Sequence, residues 1–133
     1  SDDYHGDGIM AKDTAATLFL GTDHQYVFEI LNAAEDTAIN ITGYALSWMV
    51  KRSLGDLDAA ALVTKTTAAG IAIAGTFNAT PSVNTQRATV TLADTDTSTL
   101  AAGVYHYELK RTDDGSETVL AFGSMTFRRG VHR

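Results

Sequence analysis

From Val104 to Lys110 the chain alternates, with Tyr105, Tyr107 and Leu109 on one side and His106, Glu108 and Lys110 on the other. A period of two marks a half-buried β-strand. Thr112-Asp113-Asp114-Gly115-Ser116 follows as a tight acidic turn, with a glycine able to take positive φ. Val119, Ala121, Met125 and Phe127 then share the apolar side of a return strand. A lone hairpin is at best marginally stable in water, so upstream segments must complete a sheet.

The upstream segments carry the same pattern. A short first strand is expected at Thr17-Leu18-Phe19-Leu20, and a second from His24 to Asn32 with Tyr26, Phe28 and Ile30 on one face. Tyr44 to Arg52 places Leu46, Trp48 and Val50 together, and a single tryptophan on such a face is expected to plug a core. Short strands follow at Ala61 to Thr67 and Ile71 to Ala74, with a loop or irregular edge around Pro81. Gln86 to Leu92 turns Ala88, Val90 and Leu92 inward. Ala93 to Leu100 leads to the final hairpin, through one helical turn capped by Asp96 or Thr97. Seven to eight short strands at roughly ten-residue spacing, without a long helix, predict an all-β fold: an immunoglobulin-like antiparallel β-sandwich with flexible termini.

Length and composition narrow this picture. The 133 residues make one domain, large enough for a core without staples. Residues 1–13 read as a flexible N-terminal arm, 14–128 as the sandwich and 129–133 as a basic tail. Ser1 is a natural first residue after removal of an initiator methionine, and Met10 is an alternative native start. No apolar run reaches the ~18 residues that cross a bilayer, and a signal-peptide pattern is absent, so no membrane partner is expected. The absence of cysteine removes disulfides and thiolate metal sites, and fits assembly in a reducing compartment. A formal charge of −6 argues against nonspecific nucleic-acid binding.

Candidate chemistry is sparse. Asp94-Thr95-Asp96 opens like a calcium loop, but the sixth position is Thr99 and the twelfth Tyr105, where glycine and a bidentate glutamate belong. Capping of a turn is the better reading. His106 and Glu108 share a strand face but are too few for a metal site, and His5, His24 and His132 have no evident partner. Asn40-Ile41-Thr42 and Asn78-Ala79-Thr80 match the glycosylation pattern, which without a signal peptide reads as accidental. No nucleophile stands in a recognisable context, so neither an enzyme nor a cofactor is expected. The acidic start (Asp2, Asp3, Asp7) and the basic end (Arg128, Arg129, Arg133) are the candidate protein-interface residues.

Gly103-Val104-Tyr105-His106-Tyr107-Glu108-Leu109, the acidic-glycine turn and the strand leading through Gly123 form a "G-x-Y-x-Y-E-L, turn, strand" module. With Ile41-Thr42-Gly43 before a strand and Phe28-Glu29-Ile30 in an opening strand, it resembles the N-terminal immunoglobulin-like domain of tailed-bacteriophage upper-baseplate proteins, over about residues 14 to 128. The resemblance implies a non-enzymatic structural or assembly protein of a phage particle, assembled in the host bacterial cytoplasm. Its implied partners are other virion proteins and further copies of itself. No coiled coil or receptor-binding region follows the sandwich, which widens the expected location to tail, baseplate, neck or head attachment. The alternative is a surface-displayed binding module such as a carbohydrate-recognising sandwich. That would need exposed aromatic rings, whereas Trp48, Tyr105 and Tyr107 are expected to face the core.

Overall fold

The computed structural model describes residues 12, 13, 16–32, 34–53 and 55–129. The strands are β1 (Lys12–Asp13), β2 (Ala16–Phe19), β3 (His24–Phe28), β4 (Leu46–Lys51), β5 (Val63–Thr66), β6 (Ile71–Ala74), β7 (Arg87–Leu92), β8 (Gly103–Arg111) and β9 (Thr118–Arg128). A single helical turn, α1 (Asp94–Thr97), bridges β7 and β8. One sheet has the order β1-β9-β8-β4-β5, with β2 continuing β1 along the β9 edge; the other has the order β3-β7-β6. The chain changes sheet after β2, β3, β5 and β7, so each sheet is built from segments distant in sequence. Apart from β1 and β2, which join β9 instead of β3, this all-β sandwich follows the immunoglobulin-like order, with β3-β7-β6 as one sheet and β9-β8-β4 in the other.

Alternation decides which side chains form the core. Leu46, Trp48 and Val50 of β4 are buried, as are Ala88, Val90 and Leu92 of β7 and Tyr105, Tyr107 and Leu109 of β8. The antiparallel β8–β9 hairpin is the longest pairing, from Gly103↔Phe127 to Arg111↔Thr118. Gly115, at φ 79°, supplies the left-handed residue of its turn.

Several expectations are corrected. β1 and β2 run parallel to β9, so the sandwich is not antiparallel throughout. Lys12 and Asp13 pair with Ala121 and Phe122 in that edge, although composition placed them in the arm. The second strand ends at Phe28, because the chain turns away toward an isolated Leu31↔Ala38 bridge. In β9 the register shifts after Leu109↔Ala121 to Lys110↔Val119. This bulge puts Leu120 in the core and leaves Val119 half-exposed, since one extra residue reverses which side chains face inward. The N-cap of α1 is Ala93; Asp96 lies inside the turn and accepts a 2.7 Å hydrogen bond from the Ala93 N–H.

Four aromatic rings bridge the sheets where antibody domains carry a disulfide. Tyr107 lies 5.2 Å from Tyr26, 6.1 Å from Trp48 and 6.3 Å from Phe28, centroid to centroid. Burial, the largest cause, pushes the Tyr26 phenol above the ordinary tyrosine range. Two residues before Tyr107, the Tyr105 hydroxyl donates to the Ala101 carbonyl at 2.7 Å and accepts from Arg52 Nη2 at 3.2 Å. This is the tyrosine corner that fixes the entry to the penultimate strand in immunoglobulin-like domains. Tyr105→Phe removes both bonds while keeping the ring, and is expected to destabilise by about 1–2 kcal/mol. The urea midpoint would fall with the m-value unchanged; an unaltered midpoint would show that the corner contributes nothing.

Candidate interaction surface

On the outer face of the larger sheet, the register sets Phe19 beside Arg128 and Val104 beside Thr126. His106 lies between Ser124 and Lys51, and Glu108 between Phe122 and Met49. The row closes with Lys110 between Val119 and Ser47. Leu18 and Phe127 of the same two strands face inward, so their neighbours Phe19 and Arg128 must face out. Phe19 is 46% exposed and Val104 58%, large values for apolar side chains inside strands.

The charges are distributed unevenly. Lys51 pairs with Asp58 at 2.7 Å, Lys65 with Asp96 at 2.9 Å, Arg111 with Asp113 at 2.8 Å and Arg87 with Glu29 at 3.5 Å. Arg52 lies over the Tyr105 ring, and Arg111 lies 3.7 Å from the centre of the Tyr44 ring. Lys110, Arg128 and Arg129 make no ion pair with a described carboxylate. These cations stand on β8, on β9 and just beyond it. Among the described residues, Arg52 also lacks a carboxylate partner, but it is engaged by the Tyr105 ring and hydroxyl.

The paired carboxylates hold structure together. A hydrogen bond from Arg111, then one from the Ala45 N–H, holds the Asp113 carboxyl below the usual range. Burial raises Asp96, but hydrogen bonds from Lys65 and the Ala93 N–H outweigh it and leave the carboxyl below the usual range. A hydrogen bond from Lys51, followed by its charge, lowers Asp58.

Other candidates of the sequence reading fall in separate places. Asp2, Asp3, Asp7 and Arg133 lie outside the described residues, as do His5 and His132. Arg128 closes β9, its carbonyl accepting the Leu20 N–H at 2.8 Å, and exposed Arg129 follows. His24 does have partners, unlike the expectation: its Nε2 lies 2.7 Å from Thr22 Oγ1 and 3.4 Å from the Phe19 N–H. The side-chain oxygen of Asn40 accepts from the Thr42 N–H and hydroxyl, and that of Asn78 from the Thr80 N–H. Both act as local turn acceptors.

No group of three or more histidine or carboxylate side chains among the described residues is arranged to hold a metal. Asp96 is engaged by Lys65 and the Ala93 N–H, and the Asp94 N–H donates to Asp23 at 2.7 Å. Thermal melts in calcium and in chelator are therefore expected to coincide. A rise of several degrees with calcium would overturn this, because a ligand selective for the native state stabilises it.

Sequence reading missed Phe19 and Val104. Phe19 sits in the run Leu18-Phe19-Leu20, where alternation cannot be phased; Val104 shares parity with His106 and Glu108, a signal that was present. No protein-family model matches the chain, and no curated protein matches it.

Proposed function

We propose that this protein is a non-enzymatic structural module of a tailed-bacteriophage particle, a component of tail, baseplate, neck or head attachment. The observation that supports this reading most is the β8–β9 hairpin. The residues that resemble the phage upper-baseplate domain, Gly103 to Leu109 and the strand through Gly123, form the central pairing of the larger sheet. The acidic start and basic end then act as contacts to neighbouring subunits, while the sandwich serves as a rigid spacer. Copies of the chain and other virion proteins are its partners.

A mass-spectrometric inventory of purified virions tests the reading. Peptides of this chain at multi-copy stoichiometry are expected, and their absence from particles made by cells that express it would overturn it. The carbohydrate-binding alternative has less support. Trp48, Tyr105 and Tyr107 are buried and so cannot stack on a sugar, and Arg111 occupies one face of Tyr44.

A further inference from the structure

Deepening the assembly reading, we infer that the corner formed by Phe19, Val104, His106, Arg128 and Arg129 is a docking site for the acidic N-terminal stretch of a second copy, producing head-to-tail self-association. Two independent observations converge on this corner. Register places the exposed Phe19 against Arg128, and Val104 one strand further on against Thr126. Arg128 and Arg129, both exposed, have no carboxylate partner among the described residues, whereas Lys51, Lys65, Arg87 and Arg111 are each paired within their own chain. Apolar side chains beside uncompensated guanidinium groups suit an acidic peptide, because Arg forms bidentate bonds to carboxylates and the apolar neighbours give it a dry floor.

The chain carries a complementary segment. Eleven residues precede Lys12, with Asp2, Asp3 and Asp7 among them and no Lys or Arg. Geometry favours a second copy as their source. β1 enters beside Ala121, whereas the corner lies beside Arg128, seven residues along β9 and so about 23 Å away. Because β1 runs parallel to β9, a chain's own acidic stretch would have to reverse direction and run back nearly fully extended. A neighbour's stretch has no such restriction. Donor and acceptor patches then differ, so the contact is heterologous and either closes into a ring or continues into a filament.

The test is charge-swap complementation with the full chain in sedimentation velocity. The weight-average mass of the wild type is expected to rise with concentration and to fall back as salt is added. The Arg128→Glu/Arg129→Glu variant has an acidic stretch facing an acidic corner, and Asp2→Lys/Asp3→Lys/Asp7→Lys has a basic stretch facing a basic corner. Each alone is expected to remain monomeric, and an equimolar mixture is expected to regain association. Matching thermal melts show that the variants are folded; if Arg128→Glu disturbs β9, Arg128→Gln/Arg129→Glu replaces it. A wild type that stays monomeric overturns the inference, as does association of either variant alone, which would mean another interface, or a mixture that stays monomeric. Any of these leaves the virion inventory free to succeed, and failure of the inventory leaves self-association intact.

Discussion

Trp48→Ala is expected to destabilise the native state by about 3–5 kcal/mol, the range for removing a large aromatic side chain from a packed core. Trp48 has no exposed surface and lies between Tyr26 and Tyr107, at 6.0 and 6.1 Å. Its neighbours Leu46 and Val50 are held by the β4 ladders to β5 and β8, so the site cannot collapse onto the cavity. The loss would remove part of the aromatic bridge that joins two sheets without a disulfide. Its indole Nε1 finds no acceptor among the described residues, so packing alone accounts for its contribution. Trp48→Phe is accordingly expected to be much milder, since it removes an unpaired donor together with some volume. Urea unfolding followed by circular dichroism checks both variants. A red-shifted, readily quenched native fluorescence would contradict the buried indole.

Gly75→Ala should also be strongly destabilising, for two separable reasons. Gly75 sits at φ 93°, where a side chain adds about 1–2 kcal/mol of backbone strain. A Cβ there would also collide with the Thr85 carbonyl oxygen, so the backbone itself must move. The two segments that meet are tied by hydrogen bonds from the Thr76 N–H to Thr85 Oγ1 at 2.9 Å and from the Thr85 N–H to the Thr76 carbonyl at 3.1 Å. Moving them disturbs the connection between β6 and β7. Gly115→Ala is the control: its φ is 79°, but a Cβ meets nothing within 4 Å. It should show the strain alone, and a Gly75→Ala midpoint no lower than that of Gly115→Ala would refute the close-approach argument.

Much of the architecture was legible because strand periodicity records burial directly. The inward sets on β4, β7 and β8 follow parity alone, as does the inward-facing Trp48. The parallel pairing of β2 with β9 was not legible, since a strand's own pattern does not reveal its partner's direction. The bulge at Leu120 was equally hidden. It adds a residue inside a continuous apolar run, Val119-Leu120-Ala121-Phe122, where either phase fits.

The candidate surface shows the same division. Composition alone marks an acidic start and a basic end, and no alignment of strands is needed to see them. That Lys51, Lys65, Arg87 and Arg111 are neutralised while Arg128 and Arg129 are not depends on contacts across the fold, such as Lys65 of β5 with Asp96 of α1. Whether Phe19 faces core or solvent depends on which residue of β9 it meets. Strand periodicity, the inward faces, the turn glycine and the charge of the two ends are local properties, each read within a few residues of the chain. Tertiary structure alone decided strand direction, register and ion-pair partners, and so which cations and apolar side chains remain available on the surface. Those properties arise between segments far apart in the chain, where no local pattern carries the information.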